Sequence, residues 1–81
     1  MIIRVLYFAS LRDLAGVSEE TADVPETADV AALWAILQRA RPRLRDMTTR
    51  PLVACDMTYA LWSRPLEGVR EVAFLPPVSG G

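Results

Sequence analysis

Residues 2–8 alternate between Ile3, Val5 and Tyr7 on one side and Ile2, Arg4, Leu6 and Phe8 on the other. A period of two built from β-branched and aromatic residues predicts a first strand. Both sides are largely apolar, so the strand is either buried on both faces or has one core face and one awaiting a partner. Ser10 is placed to cap a short helical turn through Leu14, with Asp13 in its acidic first turn and Gly16 suited to a left-handed stop. A weaker strand is expected over 17–24, broken by Pro25-Glu26-Thr27. The period then changes to that of a helix. Asp29 is a good N-cap for residues 30–39, where Leu33, Ile36, Leu37 and Ala40 form a stripe that packs on a sheet, Trp34 flanks it, and Pro42 ends the run. Short strands follow at 52–55 and 59–62, joined by a turn at 56–58. The loop Pro65-Leu66-Glu67-Gly68 leads to a last strand over 71–75, with Val72 and Phe74 on one face and Ala73 and Leu75 on the other. This order predicts one α+β domain over residues 1–75, a sheet with one face covered by a helix.

Composition narrows the chemistry. Eighty-one residues hold one modest core, and 52% apolar content with nine arginines against ten carboxylates describes a soluble globular chain. A net charge of −1 argues against wholesale nucleic-acid binding. The sequence has no histidine and no lysine, which removes histidine-assisted nucleophiles, histidine-bound metal and Schiff-base chemistry. Arg39, Arg41, Arg43, Arg45 and Arg50 make a run that can contact phosphates, although a solvated helix C-terminus explains it better. Cys55, the single cysteine, reads as a small core residue and fits a reducing compartment. The apolar start lacks the basic leader of a signal peptide, and no stretch reaches eighteen apolar residues, so a cytoplasmic location without membrane contact is expected.

The ending Pro76-Pro77-Val78-Ser79-Gly80-Gly81 is the most informative stretch. Two prolines remove two N–H donors and fix φ, so the last strand must give way to a stiff extended tail over 76–81. Six extended residues reach roughly 20 Å. Glycine costs roughly 0.5–1 kcal/mol more than alanine to hold in place, and passage through a channel too narrow for a Cβ would offset that. A frayed end explains mobility but not prolines followed by diglycine.

The ending V-A-F-L-P-P-V-S-G-G, the opening V-L-Y-F-A-S-L-R-D-L-A-G and the helix start D-V-A-A-L together resemble the small, sulfur-carrying subunit of molybdopterin synthase. The resemblance covers nearly the whole chain and implies the ubiquitin-like β-grasp fold: a mixed sheet, one main helix on one face, and a flexible diglycine tail. The chain departs from the family's usual Val-Asn-Gln turn at Cys55-Asp56-Met57, and from its Asp-Gly-Asp-Glu loop at Glu67-Gly68-Val69-Arg70-Glu71. A terminal carboxylate is ionised at neutral pH and must be activated before sulfur can attack it. The resemblance implies that an ATP-using adenylating enzyme activates Gly81, that a sulfur-donating enzyme turns it into a thiocarboxylate, and that the large subunit of molybdopterin synthase receives the tail. Gly80, Ser79, Val78, Pro77 and Pro76 would guide it. No cofactor or metal is expected on the chain itself, nor catalysis without its partners. If Ile3, Val5, Tyr7, Val72 and Phe74 face the helix, the other face presents Leu6, Phe8, Ala73 and Leu75 beside Arg4 and Glu71 as a docking surface, with Arg12 at its rim. Three other readings stay open: a sulfur carrier for thiamine, cysteine or tRNA, a ubiquitin-like modifier of target lysines, and a plain interaction domain with an inert tail.

Overall fold

A computed structural model of the chain describes residues 1–77. Alternation produces β1 (Ile2–Tyr7) as expected: Ile3, Val5 and Tyr7 are buried while Ile2 and Arg4 are exposed. The chain continues through α1 (Ser10–Ala15), β2 (Glu19–Asp23) and α2 (Val30–Ala40), then a 3₁₀ turn (Pro42–Asp46), β3 (Leu52–Cys55), β4 (Thr58–Tyr59) and β5 (Glu71–Leu75). The five strands form one sheet in the order β2-β1-β5-β3-β4. β5 inserts between β1 and β3, parallel to the first and antiparallel to the second, with Leu6 opposite Ala73 and Leu52 opposite Leu75. A neighbouring strand on each side shields β5, and Val72, Ala73 and Phe74 are all buried.

One sheet face carries the core. α2 lies over it with Val30, Leu33, Trp34 and Leu37 buried, the i, i+3, i+4, i+7 set of a helix 11 residues long. The expected stripe shared Leu33 and Leu37 but was rotated: Ile36 is half-buried and Ala40 exposed. Trp34 is core rather than flank, because its ring packs 4.8 Å from Phe74 and edge-on to Trp62 at 5.9 Å, so a larger apolar area leaves water with Trp34 inward. Asp29 caps α2 as expected, its carboxylate accepting from the Ala32 N–H at 2.8 Å.

Three local expectations change. Ser10 is not the cap of α1 but its first residue, since Ala9 takes the cap position at φ 50° and no side chain caps there. Gly16 does stop α1 in the left-handed region at φ 81°. The strand expected over 59–62 is only Thr58–Tyr59, because after Ala60, whose N–H still donates to Val53 O, the chain leaves the sheet to meet α2, where Trp62 O accepts from Ala31 N–H at 3.0 Å. Arg41 is not part of a solvated basic run. Its guanidinium forms a bidentate pair with Glu20 at 2.7 and 3.0 Å and donates to the Ala15 carbonyl at 2.8 Å, while Tyr7 Oη donates to the same carboxylate. This cluster ties the end of α2 to β2, α1 and β1.

Candidate docking face and tail exit

Among the described residues no helix lies over the sheet face away from α2. The side chains that alternation turns outward on β1, β3 and β5 meet there, and Leu6, Phe8, Ala54, Tyr59, Ala73 and Leu75 line an open depression of about 350 Å³. Four of these, Leu6, Phe8, Ala73 and Leu75, are sequence-predicted docking residues brought together by the parallel β1–β5 register. Phe8 remains 45% exposed although its N–H donates to Phe74 O, so its ring is available to a partner. Ala73 is small enough to form the floor. Arg12 is exposed on α1 and is not among the lining residues.

Three contributors escaped the sequence reading. Ala54 faces this side because β3 pairs Ala54 with Ala73; alternation from Val53 is its local signal. Tyr59 and Met57, which also lines the depression, belong to the β3–β4 hairpin and stand 70% and 90% exposed. Their signal is subtler: apolar residues where a turn and an edge strand ordinarily place polar ones.

The rim is charged. Arg4 pairs with Glu19 and lies 3.8 Å from Glu71, which also borders the depression. Hydrogen bonding and proximity to Glu19 hold the Arg4 guanidinium above its usual range, leaving it cationic at any relevant pH. An apolar floor with opposite charges around it gives a partner a desolvated contact and an orientation.

A larger crevice, about 590 Å³, opens between the hairpin and residues 60–65 with Cys55 in its wall. Its thiol is a poor nucleophile. Burial pushes the Cys55 thiol up and Asp56 adds to this, outweighing the opposing pull of Arg64, so the thiolate is scarce. Cys55 is the core residue expected. Among the described residues no group of three potential ligands is placed to hold a metal.

β5 delivers the chain end from the middle of the sheet. Leu75, at the strand's last position, is half-buried beside the depression, and half-buried Pro76 and Pro77 follow outside any strand. Val78, Ser79, Gly80 and Gly81, the tail and reacting residues of the sequence reading, lie outside the described residues. No helix among the described residues is long and apolar enough to cross a membrane.

Residues 5–81 match the ThiS family. The chain is 37% identical to the molybdopterin synthase sulfur carrier subunit of Chlamydomonas reinhardtii across 100% of both chains. Among solved structures, SAMP1 from Haloferax volcanii is similar with a TM-score of 0.85 at 26% identity, again over 100% of both. The same fold occurs in the complex of subunits 1 and 2 of molybdopterin-converting factor from Helicobacter pylori, where the similar chain has a TM-score of 0.68 and 24% identity with 100% of each covered.

Proposed function

This chain belongs to the ThiS family, and from that premise we propose that it is the sulfur-carrying small subunit of molybdopterin synthase. The observation that carries the reading is the 37% identity to a molybdopterin synthase sulfur carrier subunit over the full length of both chains. The mixed five-stranded sheet with one main helix is the ubiquitin-like β-grasp fold, and the composition agrees, since a chain without histidine or lysine has few groups for acid–base or covalent catalysis of its own.

The chemistry is at the carboxyl group of Gly81. An adenylating enzyme joins that carboxylate to the α-phosphate of ATP, releasing pyrophosphate and leaving an acyl-adenylate. Sulfide (HS⁻) released by a donor enzyme attacks the carbonyl carbon, the C–O bond to phosphate breaks, and AMP departs, leaving a thiocarboxylate with no change in the oxidation level of sulfur. The large subunit of molybdopterin synthase then takes up the tail, and the sulfur passes to cyclic pyranopterin monophosphate as water cleaves the acyl C–S bond and restores the Gly81 carboxylate; two such transfers build a dithiolene. ATP is thus consumed in a partner rather than held by this chain. Pro76, Pro77, Val78 and Ser79 guide the tail, Gly80 lets it through a narrow channel, and Leu6, Phe8, Ala73 and Leu75 hold the body, with Arg12 at the periphery. The single free, buried Cys55 agrees with a cytoplasmic setting for these steps.

Incubating the chain with its adenylating enzyme, ATP and a sulfur source tests the reading by intact mass: the expected product gains sulfur in place of oxygen at the C-terminus, and loses it again when the large subunit and the pterin precursor are added. An unchanged mass refutes it. The likeness to SAMP1, a small archaeal modifier protein by name, favours a second reading as a protein modifier. A ladder of isopeptide-linked products in the same incubation would select that one.

A further inference from the structure

The β3–β4 hairpin turns through two residues, Asp56 at φ 48° and Met57 at φ 71°, both left-handed as in a type I′ turn. Such positions favour asparagine and glycine, and a methionine there is strained. Asp56 has a return within the chain: its carboxylate accepts from the backbone N–H groups of Arg70 and Glu71 at 3.1 and 3.0 Å, tying the turn to the start of β5. Ala9, the remaining non-glycine residue with positive φ among those described, reverses the chain into α1, and its carbonyl accepts from Arg12 and Asp13. Among the described residues Met57 has no comparable return. Its side chain is 90% exposed, yet it stands on the border of the apolar depression next to Tyr59.

We propose that Met57 is an apolar anchor buried by the large subunit on docking, kept in a strained turn because its side chain extends the docking face beyond the sheet. The inference rests on the sulfur-carrier reading above, in which that subunit covers Leu6, Phe8, Ala73 and Leu75, and Met57 is continuous with that face. An unbranched thioether adapts to an apolar partner surface, which suits an anchor at a hairpin tip. It also makes the departure from the usual Val-Asn-Gln turn a determinant of partner choice.

The test compares Met57→Gly, Met57→Asn and Met57→Leu in the full chain, by thermal melting and by titration against the large subunit encoded in the same genome. Glycine and asparagine relieve the left-handed strain, so both variants should melt about 4 °C higher and bind about tenfold weaker. Leucine should stay within about twofold of the wild type in affinity. Binding of Met57→Gly and Met57→Asn as tight as wild type, or a lower melting temperature for both, overturns the inference while leaving the carrier reading standing. A wild-type chain that does not bind the large subunit removes the carrier reading and the anchor together. A Met57-dependent dimer of the chain itself, seen by sedimentation, also overturns the proposal by assigning the contact to a second copy.

Discussion

Replacing Arg41 with methionine should remove more stability than any other single exposed-looking arginine. Methionine keeps much of the aliphatic stem, so the loss is the guanidinium and its bonds: the bidentate pair with Glu20 and the donation to Ala15 O. Surface ion pairs contribute about 0–1 kcal/mol, whereas breaking a fully buried one costs about 3–5 kcal/mol. With the two side chains 28% and 20% exposed, the pair falls between, at about 2 kcal/mol. The stranded carbonyl adds up to about 1 kcal/mol. Against a stability of roughly 4–12 kcal/mol for a domain of this length, a loss of about 2–3 kcal/mol lowers the melting temperature by about 10–20 °C. Urea denaturation should show a lower midpoint at unchanged m. The pH dependence identifies the cause. Burial alone would raise the Glu20 pKa, but hydrogen bonds from Arg41 and Tyr7 and the charge of Arg41 outweigh it and hold the carboxyl below its ordinary value. A depressed carboxylate contributes stability above its unfolded pKa and loses it as pH falls through the folded one. The difference between wild type and Arg41→Met should therefore be full at neutral pH and shrink below about pH 4. A variant within about 0.5 kcal/mol of wild type, or a gap that does not narrow in acid, refutes this account.

Phe8→Asp and Leu75→Asp should each weaken association with the large subunit about tenfold or more, since each places a charge where an apolar group must be desolvated, while circular dichroism of the isolated chain stays unchanged; full affinity in either variant excludes that side chain from the contact. Asp29→Ala removes the bond to Ala32 N–H and should cost about 1 kcal/mol in chemical denaturation. Gly16→Ala meets no steric obstacle but must adopt φ 81°, so it should lose about 1 kcal/mol from backbone strain alone. One residue appended after Gly81 should abolish the gain of sulfur without altering the melting curve; continued thiolation would move the reacting group away from the Gly81 carboxyl.

The amino-acid order was enough for much that depends on neighbours along the chain, although not for the cap of α1, where Ala9 stands in place of Ser10. The two-residue period of β1 and β5, the cap at Asp29, the left-handed stop at Gly16 and the outward set Leu6, Phe8, Ala73 and Leu75 are all local, because alternation and capping act within a few residues. The family resemblance supplied the β-grasp topology. Contacts between distant segments needed the tertiary structure. Glu20 and Arg41 are 21 positions apart, and nothing in the arginine run singles out the one that turns inward. Trp34 enters the core because Phe74 and Trp62 stand opposite it, which shifts a helical stripe that hydrophobicity alone leaves free to rotate. Met57 reads as an ordinary turn residue until its backbone angle and its place beside the apolar depression are known together. Local preference is written residue by residue, whereas burial, pairing and strain belong to pairs that only folding brings into contact.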